Sequence, residues 1–166
     1  MYNKAAEKMK KNMWLGLAAF FFLGCDTQKG TFLNTVESQN DINTSINKFI
    51  SALEAHKLSL FGTIDHAKNA KNAGMRLKPE VVVIFGDPKT GTLLMQCNPS
   101  IGLDLPLRML FTTDYHGKTM LTYTNPEYWS LKHNIKDTKC LDIITKVNIV
   151  MQTLAEEAAK KQEIAQ

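Results

Sequence analysis

"LSLFGTIDHAKNAKNAGMRLKPEVVVIF", residues 58–85, carries three local patterns in one run. Leu58, Leu60 and Ile64 alternate with Ser59 and Thr63, the period-two signature of a half-buried strand. Lys68 to Ala73 suits a short helical turn that Gly74 closes. Residues 80–85, "EVVVIF", are β-branched on both faces and predict a central strand. Strand and helix thus alternate within one short stretch, and the chain is a mixed one.

The flanks extend that reading. "TFLNTV" (31–36) suits a short edge strand, and Ser38 with Asp41 three residues on looks like a capping box opening a helix to about His56. Ile42, Ile46, Phe49, Ile50 and Leu53 give that helix one apolar stripe. Downstream, "PLRMLFTTD" and "GKTMLTYTN" flank Tyr115-His116, a hairpin signal. Pro126 begins a short helix through "EYWSLKH". A last helix runs from Leu141 to about Lys161, with Glu156–Lys160 and Glu157–Lys161 as i,i+4 pairs on its wet side. This order predicts an α+β fold, a mostly antiparallel sheet with helices packed on one face.

At 166 residues, 44% hydrophobic and 22% charged, the chain has room for one globular domain and an appendage. The formal charge of +4 is not a nucleic-acid footprint. Lys4, Lys8, Lys10 and Lys11 all precede Cys25, against Glu7 alone, and the rest of the chain is near balance. No basic run with interleaved aromatics follows, so nucleic acid is not an expected partner.

The basic start belongs to "MKKNMWLGLAAFFFLGC", residues 9–25. Its apolar run, Met13 to Leu23, is too short to cross about 30 Å of hydrocarbon but fits a secretory signal. Phe22-Leu23-Gly24-Cys25 resembles the bacterial lipobox, which implies a lipidated Cys25 at the mature N-terminus. The expected organisation is a signal peptide over 1–24, a tether over 25–30 and one domain over 31–162. Two or three acyl chains would anchor the protein stably in the cell envelope, facing the periplasm or exterior. Asp26 after the cysteine favours the inner membrane where the enteric retention rule applies.

Other motifs carry less. Gly86 and Gly91 in "FGDPKTGT" have the spacing of a phosphate loop, but Thr92 stands where the lysine must be and Pro88 removes an N–H donor. A structural turn is expected there. Cys97 and Cys140 sit in apolar neighbourhoods and read first as buried thiols, although an oxidising compartment permits a disulfide between them. No CxxC, HExxH or GxSxG is present. "DINTS" (41–45) fits the extended bacterial glycosylation pattern on Asn43, and equally suits the first turn of a helix. Asp65-His66 reads as a helix entry or as a ligand or general base, and adjacent strand residues point to opposite faces unless the chain turns there.

Taken together, "TIDHAKNAKNAGMRLKPEVVVIFGDPKTGTLLMQCNPSIGLDLPLRMLF" and "DYHGKTMLTYTNPEYWSLKH" resemble the bacterial family called domain of unknown function 302. The shared pattern is an Ile-Asp-His turn, a Phe-Gly-Asn-Pro turn, an Asn-Pro…Leu-Asp-Leu-Pro-Leu segment and a Tyr-x-x-Pro helix ending in His. Asp87 departs from the usual Asn. The resemblance implies a fold like the TATA-binding-protein half-domain, often a homodimer, and no established activity. Carried onto this chain, its polar positions are Asp65, His66, Asn98, Asp104 and His133. The leading expectation is a lipid-anchored binding module whose His66, with His133 within about 10 Å, holds a small ligand, metal or haem. A hydrolase-like enzyme using His66 as base and a structural homodimer are the other two readings.

Overall fold

The computed structural model describes residues 32–162, so the signal peptide, Cys25 and the tether lie outside the described residues. Five strands form one sheet: β1 (Leu33–Glu37), β2 (Ser59–Asp65), β3 (Glu80–Gly86), β4 (Leu107–Thr113) and β5 (Thr119–Thr124). Their spatial order is β1-β5-β4-β3-β2, and every neighbouring pair is antiparallel. The helices are α1 (Ile42–Ala55), α2 (His66–Asn72), α3 (Pro88–Cys97), α4 (Trp129–Lys132) and α5 (Thr138–Ala159). A 3-10 turn, Pro99–Leu103, follows α3, and a second, Pro126–Tyr128, precedes α4. The fold is α+β, as the alternation of patterns predicts.

Register gives the sheet two distinct ends. Leu33 pairs with Thr124, Ser59 with Gly86 and Phe85 with Leu107, so these residues mark the end where the described chain enters. Asp65 pairs with Val81, and Thr113 with Thr119, at the far end.

Alternation also gives the sheet two distinct faces. Val83, Phe85, Leu107, Met109, Phe111, Leu121 and Tyr123 are buried on one. There Phe49 of α1 inserts edge-on between Phe85 and Phe111, with ring centroids 5.1 and 5.4 Å away. Ile144, Val147, Met151 and Leu154 of α5 complete this core. The alternate residues Val82, Ile84, Leu110 and Met120 lie on the opposite face and are only partly buried. β3 is interior as expected; β2 is an edge strand, bulged between Leu60 and Gly62 and mostly exposed.

Several local expectations change. Asp41 itself caps α1, accepting from the Thr44 amide at 3.0 Å, so the Ser38–Asp41 capping box does not form. The buried Ser38 hydroxyl instead meets Ser45 Oγ at 2.8 Å. α5 starts earlier, capped by Asp137, and ends at Ala159, where Asn40 Nδ2 donates to the Lys160 carbonyl at 2.7 Å. Lys160 is therefore a cap residue outside the helix, and Glu157 faces His56, the C-cap of α1, at 3.1 Å. Cys97 and Cys140 are joined as a disulfide and are not free thiols, with Cα atoms 6.1 Å apart. The end of α3 and the first turn of α5 meet there, which no local pattern could foretell.

Candidate functional site

His133 is the best-held polar side chain among the described residues. It terminates α4, and its side chain is only 2% exposed. Nε2 donates to Asp104 Oδ2 at 2.5 Å, and Nδ1 lies 2.8 Å from the Ser100 hydroxyl. With Asp104 accepting from Nε2, Nδ1 is left to pair with the Ser100 hydroxyl. Lys132 Nζ reaches Asp104 Oδ1 at 2.8 Å. Asn98 caps the 3-10 turn through the Ser100 amide (2.9 Å) and donates its Nδ2 to the His133 carbonyl at 2.8 Å. Burial pushes the Asp104 carboxyl up, but the hydrogen bonds and charges of Lys132 and His133 outweigh it and hold the group below its usual range. Each polar atom of the imidazole is thus committed within the protein. The cluster bolts the 98–104 segment to α4, and the Cys97–Cys140 disulfide ties the residue just before it to α5.

The inner side of that segment walls a cavity of about 380 Å³. Phe61, Leu94, Met95, Leu105, Leu107 and Val147 are the large apolar residues of its lining. Three glycines leave side-chain room in the lining: a Cβ on Gly86 would stand in ordinary contact 3.5 Å from Phe61, on Gly91 3.7 Å from Leu105, and on Gly102 3.5 Å from Met95. Asp87, Thr90 and Thr92 are the polar margin. The Thr90 hydroxyl (2.6 Å) and amide (2.9 Å) both donate to Asp87 and hold its carboxyl below the usual range. Asp87 is therefore the N-cap of α3, and "FGDPKTGT" is a structural turn as expected, leading into a helix that the sequence reading did not anticipate. A cavity of this size falls in the range of small-molecule sites.

Of the five sequence-derived polar positions, Asn98, Asp104 and His133 come together. Asp65 and His66 do not join them. Asp65 Oδ1 accepts from the Lys68 amide at 2.8 Å as the N-cap of α2, and His66 is that helix's first residue. They sit at the far end of the sheet, whereas His133 follows β5 out of the entry end. The two-histidine ligand pair is therefore not formed. Among the described residues no group of three or more His, Cys, Asp or Glu side chains is arranged to hold a metal. Asn43 lies exposed in the first turn of α1. Ser100 is the site residue that sequence reasoning missed. "NPS" announces a local Asn-capped turn, but nothing in it announces a partner 33 residues away.

Comparisons with known proteins bear on the fold and the family. A crystal structure described as an uncharacterized conserved protein DUF302 from Bacillus stearothermophilus superposes with a TM-score of 0.71, covering 78% of this chain and 99% of that one at 15% identity, and supports the fold alone. Two Brucella proteins named fluoride-specific ion channel FluC 1, from B. suis and B. abortus, are each 38% identical over 103 residues. The match covers 62% of this chain and 41% or 38% of those proteins, so the chain spans about two-fifths of the length of these curated relatives. No helix among the described residues is long and apolar enough to cross a membrane. A family model, domain of unknown function DUF302, matches residues 34–157, most of the chain and nearly all of the described fold. With that match and that fold, the chain belongs to the DUF302 family.

Proposed function

We propose that this protein is a lipid-anchored cell-envelope module that binds a small, mainly apolar ligand in the cavity between β2, α3 and the 98–107 segment. The observation that carries the reading is the cavity itself: about 380 Å³, apolar in lining and opened by Gly86, Gly91 and Gly102. Binding there needs no metal or haem, and His133 acts by positioning the wall because both ring nitrogens are already engaged. The envelope address rests on the lipobox-like Phe22-Leu23-Gly24-Cys25. The name of the Brucella relatives adds only a shared domain to this reading, given how little of their length is matched.

Assembly is the second part of the reading. The open face of the sheet, with Val82, Ile84, Leu110 and Met120, supports a twofold contact with a second copy.

Titration with the apolar fluorophore N-phenyl-1-naphthylamine tests the cavity. Wild type should bind it saturably. Gly91→Leu, which fills the cavity from α3, should weaken binding at least tenfold with an unchanged far-ultraviolet spectrum. Equal binding by both proteins would refute the assignment.

A further inference from the structure

We infer that the ligand is the hydrocarbon chain of a bilayer phospholipid, drawn directly from the membrane to which the protein is anchored. This rests on the cavity reading above and narrows its ligand class. The cavity's chemistry comes first. Its deep lining is hydrocarbon and thioether, and the Asp87 oxygens are already taken by Thr90 and the Lys89 amide. It is more than twice the size of a ~150 Å³ apolar cavity that admits benzene, so it has room for a flexible chain. A side hollow shares Asp87, Thr90, Leu107 and Val147 with it and adds the exposed Lys146. That cation suits the phosphate of a headgroup left at the mouth.

Position comes second. The cavity is built on Gly86 and Leu107, at the same end of the sheet as Leu33. A chain lipidated at Cys25 reaches Phe32 through a segment that spans at most about 25 Å fully extended. Such a tether keeps the entry end within about 25 Å of the bilayer.

Exposed apolar side chains give a third, independent observation. Phe32 and Leu33 stand exposed where the described chain begins. Leu103 and Leu131 are 75% and 79% exposed, and the Lys132–Asp104 ion pair holds their two segments together at the same end. Phe61 and Met95, 52% and 40% exposed, line the cavity itself. Side chains of this kind are costly in water but enter the interfacial layer of a bilayer favourably.

The test uses the full lipidated protein in vesicles of phosphatidylethanolamine and phosphatidylglycerol. The vesicles are doped with a phosphatidylcholine carrying a diazirine midway along one acyl chain, irradiated, and the protein mapped by peptide mass spectrometry. Adducts are expected on the peptides holding Phe61, Met95 and Leu105. Gly91→Leu should lower them at least tenfold while adducts at Phe32 and Leu131 persist. Phe61→Glu, which charges the mouth on an exposed edge strand, should do the same if Gly91→Leu fails to fold. Labelling confined to Phe32, Leu33 and Leu131, or labelling unmoved by the variants, overturns the inference. N-phenyl-1-naphthylamine binding without acyl-chain labelling would overturn it and leave the cavity reading standing. Absence of both would end both.

Discussion

A buried imidazole with a carboxylate on one nitrogen and a serine on the other is often read as catalytic, but in this protein its atoms are spent on holding a turn. His133→Leu keeps comparable volume and removes both hydrogen bonds, leaving Asp104 Oδ2 and Ser100 Oγ without the ring. A loss of about 1–3 kcal/mol is expected, read from the urea midpoint. N-phenyl-1-naphthylamine affinity should fall as well, because Gly102 and Leu105 lose their support; unchanged affinity would separate the cluster from the cavity. The carboxyl adds a pH signature. Asp104 is depressed in the folded state, so its contribution is complete above the ordinary carboxylate value of about 4 and is lost as the pH falls through its lower folded value. Asp104→Asn should therefore be less stable than wild type at pH 7, with the difference shrinking toward pH 2. A constant difference would show that the charge is not involved. Asp65 carries a smaller stake: Asp65→Ala removes the α2 cap at a cost of about 1 kcal/mol and should leave ligand binding untouched.

At the scale of elements, the 98–104 segment is fixed from both sides, and the disulfide is one of the ties. Cys97 and Cys140 close a loop with a sequence separation of 43, which the chain-entropy picture values at about 4 kcal/mol. The double variant Cys97→Ala/Cys140→Ala should lose about that amount in urea unfolding, and reduction of wild type should reproduce it. A variant as stable as the oxidised protein would show that packing of α3 on α5 suffices alone. The same elements mark what the sequence could convey. Alternation in "MLFTT" and "MLTYT" announced the β4–β5 hairpin, since half-buried strands must repeat every second residue. Helix α3 and the 3-10 turn after it were not foreseen, although Asp87 and Asn98 cap them by satisfying amides only a few residues on. The Cys97–Cys140 bond and the Ser100–His133 contact could not be read this way. Both join elements whose proximity follows from sheet order, and sheet order is not written in any local period. His66 was misplaced for the same reason: only register shows that its end of β2 points away from the loops that carry Asn98 and Asp104.

Among the described residues the sheet has one face covered by α1 and α5 and one left open, and the proposed dimer uses the open one. Val82, Leu110 and Thr122 lie in one row across β3, β4 and β5, with Ile84 and Met120 on adjoining rows. Each is only half-buried despite standing on interior strands, so the face offers apolar area that the chain's described helices do not cover. Thr35 and Thr122 hydroxyls, 3.0 Å apart, mark its polar border beside β1. A twofold axis through such a face sets Leu110 near its own copy, and a stable contact of this kind buries about 1,200 Å² or more in total. The cavity mouth and the apolar rim belong to the entry end of the sheet, so a face-to-face dimer leaves both copies free to reach one bilayer. Sedimentation in density-matched detergent should give twice the chain mass at micromolar concentration. Leu110→Lys should reduce it to a single chain, because two ammonium groups brought together near the axis repel and lose hydration. Lys on this half-buried site can keep its charge in water in the monomer, so far-ultraviolet dichroism should be preserved and N-phenyl-1-naphthylamine binding unchanged. A wild type that sediments as one chain would rule the dimer out, and a Leu110→Lys protein that remains double would move the interface to another surface.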